Sequence, residues 1–386
     1  MIDLSRFGRL VKVARKSRSP RISQTDLARQ VKVTQSFISD LENGRLRLGP
    51  RDPEILEQIA DILGISFEDT EPSVTHLDPT ASMGYLPAAP HPKGFREKLS
   101  NGRFVVTMEI HPPKGVGLKR FEREARELKN FADAVNVTDN QRALLKLSPI
   151  AGCRILLELG IEPICQLTCR DKNRLGFQSD VLSGYVLGIR NFLVIMGDPP
   201  EIGDHPDSAP VFDIHSVQAM DVISRMKHGF DMGGNKLNRA PKDILIGSAA
   251  NPFPLDLSVE MSKIKAKIRA GAEFFQTQPV YDIPKFKNFL KLVKPLGIRV
   301  IAGYIPIVDR RTLEIMEDIP GVVMPRAMVE RLENSADIYG EGIALARDTI
   351  LELHDMVDGI HMMNIGRVTP SLKVLELVKE QVKIAI

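Results

Sequence analysis

From residue 96 onward, short β-branched runs alternate with amphipathic stretches eight times, and this alternation limits the fold more than any other feature. The runs are Phe104–Ile110, Ala134–Asp139, Ile164–Cys169, Asn191–Asp198, Asp243–Asn251, Phe274–Asp282, Ile298–Pro306 and Gly359–Gly366. Between them, stretches such as FEREARELKN, SVQAMDVISRMKHG, SVEMSKIKAKIRAG and IPKFKNFLKLVKPLG repeat apolar residues at helical spacing. Repeated strand-helix units imply a parallel sheet, and eight of them over residues 96–386 fit an α/β fold of the (β/α)8 TIM-barrel type, typically about 250 residues or more with insertions. An open doubly wound sheet is the alternative. It would usually carry GxGxxG after its first strand, and that motif is absent. Residues 324–353 read as extra helix before the last strand, and 201–214 (EIGDHPDSAPVFDI) as a loop long enough to be functional.

Residues 1–70 read instead as a small all-α domain of helices with short connections. Residues 71–95 are rich in Pro, Gly, Ser and Thr without a sustained period and read as a linker, with Tyr85 and Leu86 available to dock on a neighbour. The formal net charge of +3 hides an asymmetry. Residues 1–51 hold 12 Lys/Arg against 4 Asp/Glu, or +8, whereas 52–386 hold 40 against 45, or −5. Such a split points to a basic N-terminal module with an anionic partner.

Within that module, residues 24–44 read QTDLARQVKVTQSFISDLENG. A helix-turn-helix needs a small residue where its helices cross, supplied by Ala28, and apolar inner faces, supplied by Leu27, Val33, Ile38 and Leu41. Ser23 or Thr34 can cap a helix start, and Gly44 can end the second helix. Arg15, Lys16, Arg18, Arg21, Arg45 and Arg47 lie nearby as phosphate contacts. The pattern resembles the Cro/phage-repressor (XRE-like) family over about residues 6–65, through Gln24, Leu27, Ala28, Val33, Gln35, Ile38, Ser39, Glu42 and Gly44. It departs at Lys32, where the family often has Gly. The resemblance implies DNA binding, with Thr34–Asn43 as the recognition helix, Gln35, Ser36 and Ser39 facing bases and Gln24 near a phosphate. Such domains work as dimers on paired half-sites, so a homo-oligomer is expected. A helical bundle that binds protein or only dimerises is the alternative.

Composition excludes other classes. At 43% hydrophobic and 26% charged, the chain fits a soluble globular protein. No apolar run approaches the roughly 18 to 20 residues of a membrane span, and the N-terminus lacks the continuous apolar stretch and cleavage site of a secretory signal. Cys153, Cys165 and Cys169 are too few for a disulfide framework, so a cytoplasmic location is expected. Cys165 and Cys169 have no third cysteine to join them, and no metal is expected.

In a (β/α)8 barrel, chemistry sits at the C-terminal strand ends. Here those ends carry Glu109, Thr138, Gln166 with Thr168, Asp198, Asn251, Gln278 and Arg367, a polar ring that stability alone does not require. Glu109, in VTMEIHPPKG, sits beside apolar residues and two prolines, where a carboxyl can stay protonated and act as an acid; pairing with a Lys or Arg across the mouth is the alternative. In LVIMGDPP, Gly197 permits close backbone approach, Asp198 supplies a carboxylate and Pro199 and Pro200 stiffen the exit. In KAKIRAGAEFFQTQPVYD, Lys267 and Gln278 can together serve a phosphate-bearing cofactor and a planar heterocycle.

These stretches together resemble the methylenetetrahydrofolate reductase family over about residues 98–386, through MEIHPP, NVTDN, LTCRDKNR, MGDPP, KIRAGAEFFQTQPVYD, AGYIPI and GIHMMNIGR in the family's order. The resemblance implies a flavin-dependent barrel that reduces methylenetetrahydrofolate to methyltetrahydrofolate in one-carbon and methionine metabolism. Glu109 then matches the acid that protonates the folate ring nitrogen and opens the methylene bridge. Asp198 matches the carboxylate near pterin and flavin, Gln278 the amide shared by folate and nicotinamide, Thr138 a hydroxyl beside the flavin, Lys267 a flavin phosphate contact and Arg367 a residue close to the folate.

The chain departs from the better-known bacterial form at Gln166 and Asn251, each for His, at Met196 for Arg, and at Met362 and Met363 for Tyr and Phe. Three of these four departures touch expected flavin contacts, one of which could meet the pyrophosphate, so FAD is expected with FMN, or loss of flavin, as alternatives. The LTCRDKNR and AANP versions resemble the branch found in anaerobic one-carbon metabolism, which implies a partner protein in place of direct NAD(P)H, so NAD(P)H or a partner protein is the expected electron donor. Three readings follow: a reductase carrying an autoregulatory DNA-binding domain; a transcriptional regulator whose barrel senses folate or flavin without turnover; and another flavin barrel, such as a proline dehydrogenase relative, against which MGDPP and QTQP speak.

Overall fold

The computed structural model describes residues 4–18, 20–43, 45–46, 52–65, 94–319 and 321–382. The chain divides into two compact units, residues 1–84 and 85–386, each with its own apolar core. Most of the expected linker, including Tyr85 and Leu86, lies outside the described residues.

The first unit contains helices α1 (Leu4–Ser17), α2 (Gln24–Gln30), α3 (Gln35–Glu42) and α4 (Asp52–Leu63). Both expected caps form: the Ser23 hydroxyl accepts from Asp26 N at 3.0 Å and the Thr34 hydroxyl from Phe37 N at 3.2 Å. The turn between α2 and α3 places Lys32 at φ 56°, the left-handed conformation that explains why glycine is common there. Leu27, Ala28, Ile38 and Leu41 are buried as expected, with Val33 packed against them. At Gly8, α1 passes so close to α3 that a Cβ would sit 1.9 Å from the Leu41 carbonyl oxygen. Gly44 lies outside the described residues; Asn43 caps α3 at its C-terminus.

The second unit begins with α5 (Phe95–Ser100) and then alternates strands and helices: β1 (Val105–Ile110), α6 (Lys119–Leu128), β2 (Ala134–Val137), α7 (Pro149–Glu158), β3 (Pro163–Thr168), α8 (Arg174–Val186), β4 (Asn191–Ile195) and α9 (Ser216–Lys227). It continues with β5 (Leu245–Ala250), α10 (Leu257–Arg269), β6 (Phe274–Pro279), α11 (Ile283–Val293), β7 (Arg299–Tyr304), α12 (Arg310–Asp318), α13 (Arg326–Glu333), α14 (Ile338–His354), β8 (Gly359–Met362) and α15 (Thr369–Val378). The eight strands pair in parallel, in sequence order, and β8 closes on β1. All eight expected runs are strands of a TIM barrel, and the doubly wound alternative is excluded. The extra helix expected over 324–353 is the pair α13 and α14. Residues 201–214 form a loop, irregular after a short 3-10 turn at Pro200–Ile202.

Several strands stop short of their expected ends at Asp139, Asp198 and Asn251: β2 ends at Val137, β4 at Ile195 and β5 at Ala250. Those polar residues bond side chains and loops instead of continuing the ladder; Asp139, for instance, accepts from Thr168 N at 2.9 Å. The barrel interior is tiered. Its floor is apolar, with Phe95 and Leu99 of α5 plugging the end beneath Val105, Leu193, Leu245, Phe274 and Ile301. Gly247 makes room for the Phe274 ring, which a Cβ would meet at 2.2 Å. A larger apolar shell lies between strands and helices. Among the described residues, no helix is long and apolar enough to cross a membrane.

Candidate active site at the barrel mouth

Above the floor, the lining turns polar. Thr107, Asn136, Gln276 and His361 form a buried network: Asn136 Nδ2 donates to Gln276 Oε1 at 2.7 Å, Gln276 Nε2 donates to Thr107 Oγ1 at 3.1 Å, and Thr107 Oγ1 bonds His361 Nδ1 at 2.9 Å. Burial pushes the His361 imidazole down to about 4, against an opposing pull from the Glu109 carboxylate. The ring is therefore neutral near pH 7. An unfolded histidine titrates near 6.5, so between 6.5 and about 4 the unfolded chain binds the extra proton, and stability is lost as pH falls through that window. The full effect is about 3 kcal/mol. We expect the stability difference between wild type and His361→Gln to shrink by up to that amount from pH 7 to pH 4 in urea denaturation; parallel pH slopes would contradict it.

Glu109 stands two residues above Thr107 on the same strand face and is 6% exposed. Its Oε2 accepts from Gln166 Nε2 at 3.2 Å and its Oε1 from Gln141 Nε2 at 3.3 Å. His111 Nε2 lies 3.8 Å from Oε1, and the same ring bonds Thr138 Oγ1 through Nδ1 at 3.2 Å. The Glu109 carbonyl accepts from Asn364 Nδ2 at 3.1 Å. No Lys or Arg pairs with Glu109 among the described residues, and its contacts to protein are amides and an imidazole.

Asp198 is exposed, just past the end of β4. Its Oδ2 accepts from the Arg142 backbone N–H at 3.1 Å. Gly197 before it has φ 86°, and a Cβ there would press on Thr168 Cβ at 3.0 Å. The turn that reaches Asp198 is strained: Asn140, Arg142 and Ala143 all have left-handed φ, 43°, 55° and 54°. Each such non-glycine residue costs about 1–3 kcal/mol and persists only where surrounding contacts fix it. Thus the sequence-predicted Glu109, Gln166 and Thr138 come together, and Asp198 is linked to them by the Gln141–Arg142 turn.

The remaining expected residues are spread more widely. Thr168 is buried and gives its hydroxyl to Asp139 at 3.1 Å. Met196 accepts from Ser216 N at 3.2 Å through sulfur. Asn251 turns into its own loop, accepting from Phe253 N at 2.9 Å. Lys267 Nζ reaches the Ala249 carbonyl at 2.6 Å, and burial pushes its pKa down. Gln278 is exposed at a register irregularity between β6 and β7, and Arg367 is exposed beyond β8. Sequence reasoning missed Thr107, Asn136, Gln276 and His361. The signal was present, since polar residues two positions below a mouth residue share its strand face. It also missed His111, Gln141, Asn364 and Arg170, which nothing in periodicity marks.

In the first unit, one expectation is corrected. Arg15 is not a phosphate contact: its Nε donates to Glu42 Oε1 at 2.7 Å and its Nη2 to Glu42 Oε2 at 3.1 Å, in a pair whose side chains are 11% and 1% exposed. Gln24 donates to the same carboxylate at 2.8 Å and accepts from Gln35 Nε2 at 2.7 Å. Gln35, Ser36 and Arg45 are exposed and Ser39 is half-buried; Arg47 lies outside the described residues.

A closed parallel barrel with an acid at the end of β1 and a carboxylate beyond β4 has the layout of a barrel enzyme. The sequence pattern of methylenetetrahydrofolate reductase matches residues 94–379, and the chain belongs to that family. A helix-turn-helix domain pattern matches residues 6–72. Similar relatives include methylenetetrahydrofolate reductase 2 of Schizosaccharomyces pombe, 26% identical over 287 residues, covering 68% of this chain and 43% of that one. The 5,10-methylenetetrahydrofolate reductase of Pectobacterium carotovorum is 24% identical over 218 residues, covering 54% and 66%. The chain thus spans less than two thirds of the length of either relative. Among solved structures, an uncharacterised Clostridium thermocellum protein that binds two copies of 5-methyl-5,6,7,8-tetrahydrofolic acid superposes with a TM-score of 0.54 at 19% identity, covering 75% of this chain and 99% of that one. That likeness concerns the fold.

Proposed function

We propose that this chain reduces 5,10-methylenetetrahydrofolate to 5-methyltetrahydrofolate at the barrel mouth, in one-carbon and methionine metabolism, and that its N-terminal unit binds DNA. The observation that carries the reading is Glu109: a nearly buried carboxyl at the mouth, with no Lys or Arg partner among the described residues and only amides and the His111 imidazole against it, above a neutral polar tier. A proton on Glu109 passes to the folate ring nitrogen, opening the methylene bridge and leaving an iminium. Asp198, exposed beyond β4, accepts hydrogen bonds from the aminopyrimidine, and its charge favours the cation. Gln278 offers its amide to folate and nicotinamide in turn, and Arg367 faces the glutamate carboxylates.

The family implies a flavin, and the residues fit one at its phosphate end. Lys267 is a half-buried ammonium whose hydrogen bond goes to the Ala249 carbonyl and on which the Glu260 carboxylate also acts, so it can still offer charge to a second anion. Lys267 would meet the phosphate, with Thr138, Gln166, Thr168, Met196, Gly197 and Asn251 around the rest. When bound, the flavin supplies the hydride. FAD is the flavin proposed, with FMN as the alternative, and NAD(P)H or a partner protein as the electron source. A homo-oligomer in the cytoplasm completes the reading.

A second reading is a regulator that senses folate or flavin without turnover; the fused helix-turn-helix and the altered flavin positions, among them Gln166, Met196 and Asn251, favour it. The test is an anaerobic cycle on the purified, flavin-supplemented chain. NAD(P)H or a chemical reductant should bleach the flavin, and methylenetetrahydrofolate should restore its colour, whereas proline should do nothing. Flavin that folate cannot reoxidise would favour the regulator.

A further inference from the structure

Arg170 lies two residues beyond β3 and is 2% exposed, yet it is not part of any apolar tier. Its guanidinium spans three loops. Nη1 donates to the Asp198 carbonyl at 3.2 Å, Nη2 to the Asn140 carbonyl at 3.2 Å, and Nε and Nη2 to the two Asp171 carboxylate oxygens, each at 2.7 Å. The strands beneath those loops are not all neighbours: β2 and β4 are separated by β3, so Arg170 ties together two loops that the sheet does not. The Asp171 carboxylate neutralises the buried cation, and the two carbonyls use its remaining directions.

What Arg170 holds is the backbone on which both site carboxylates depend. Asp198 is held through its own carbonyl. Asn140 opens the strained turn whose next residue, Gln141, donates to Glu109, and whose Arg142 N–H donates to Asp198. The turn is stitched to the loop after β4 a second time, by Leu145 N to Asp204 Oδ1 at 3.0 Å and Asp204 N to the Ala143 carbonyl at 3.4 Å. Left-handed backbone at three non-glycine positions needs such external anchors. A lysine has one nitrogen and cannot meet both carbonyls and Asp171 in this planar geometry.

We propose that Arg170 is a positioning residue for the reductase site, fixing Asp198 directly and Glu109 through the Asn140–Ala143 turn that carries Gln141. This inference rests on the reductase reading above. The test pairs Arg170→Lys with Gln141→Ala in a double-mutant cycle on the full, flavin-loaded chain. Arg170→Lys should lower kcat/KM by about 30- to 100-fold, the scale of a small misplacement at a reacting centre. Gln141→Ala changes an exposed side chain and so keeps the fold; it should lower kcat by about tenfold with KM within about twofold. Because both act on the same turn, Gln141→Ala should have little further effect in the Arg170→Lys background. Hydrogen exchange should also quicken in peptides covering 138–147 of Arg170→Lys, a readout independent of activity.

Wild-type turnover with Arg170→Lys within twofold of it, an unchanged kcat in Gln141→Ala, or effects that multiply fully would each overturn the inference while leaving the reductase reading intact. An inactive wild type would overturn the reductase reading, and this inference with it.

Discussion

Glu109→Gln should lower folate-dependent turnover by about 10²- to 10⁴-fold, the range for loss of a positioned general acid. The substitution keeps the side chain's shape but leaves no proton to deliver to the ring nitrogen. Its surroundings can accept the change. The two protein donors on Glu109 are the Gln166 and Gln141 amides, and an amide can turn to present oxygen to one of them. The barrel should therefore melt near the wild-type temperature and bind methyltetrahydrofolate within a few-fold of wild type. The same variant separates the two functional readings. A reductase loses its activity; a folate-sensing regulator keeps whatever ligand-dependent DNA affinity it has. Near-normal turnover would remove Glu109 from the chemistry and require another acid at the mouth.

Arg15→Met should be nearly as damaging to the first unit. It leaves the Glu42 carboxylate buried without its cation, a change that costs about 3–5 kcal/mol when one partner of a buried pair is removed. Burial pushes the Glu42 pKa up, but hydrogen bonds from Arg15 and Gln24 outweigh that and hold it below the usual carboxylate range. A depressed carboxylate stabilises the fold above its unfolded pKa, so the contribution is present at neutral pH and is lost as pH falls through the folded value. Hydrogen exchange over peptides from 4–65 should show the loss in Arg15→Met, together with loss of any DNA binding. Arg15→Met/Glu42→Leu should recover much of the stability, because a matched apolar pair carries no desolvation cost. Equal protection of wild type and Arg15→Met at pH 7 would count against this account.

The Arg15 result shows where sequence reading stops. A cluster of basic residues identified a basic module, but charge alone does not separate an arginine that meets phosphate from one buried against Glu42. The helix-turn-helix was legible because Ala28, Leu27, Ile38 and Leu41 must recur at fixed spacing for two helices to cross. The barrel was legible because parallel strands buried on both faces read as short, largely apolar runs between amphipathic helices, and eight such runs leave few ways to close. Glu109, Gln166 and Thr138 could be placed near one another because strand ends converge on one rim. Gln141 and Arg170 could not. Their positions depend on how the loops after β2, β3 and β4 fold over the mouth, and a left-handed turn of Asn140, Arg142 and Ala143 has no local sequence signal. The polar tier of Thr107, Asn136, Gln276 and His361 was readable in principle from strand alternation, once Glu109 was taken to face inward.

The central claim is tested most directly by a single anaerobic turnover. The flavin-loaded protein is reduced chemically, freed of reductant, and mixed with one equivalent of methylenetetrahydrofolate; the folate products are then separated and counted. The account predicts one methyltetrahydrofolate formed for each flavin reoxidised, and almost none on the same timescale with Glu109→Gln. Methylenetetrahydrofolate recovered unchanged beside flavin that stays reduced would contradict it.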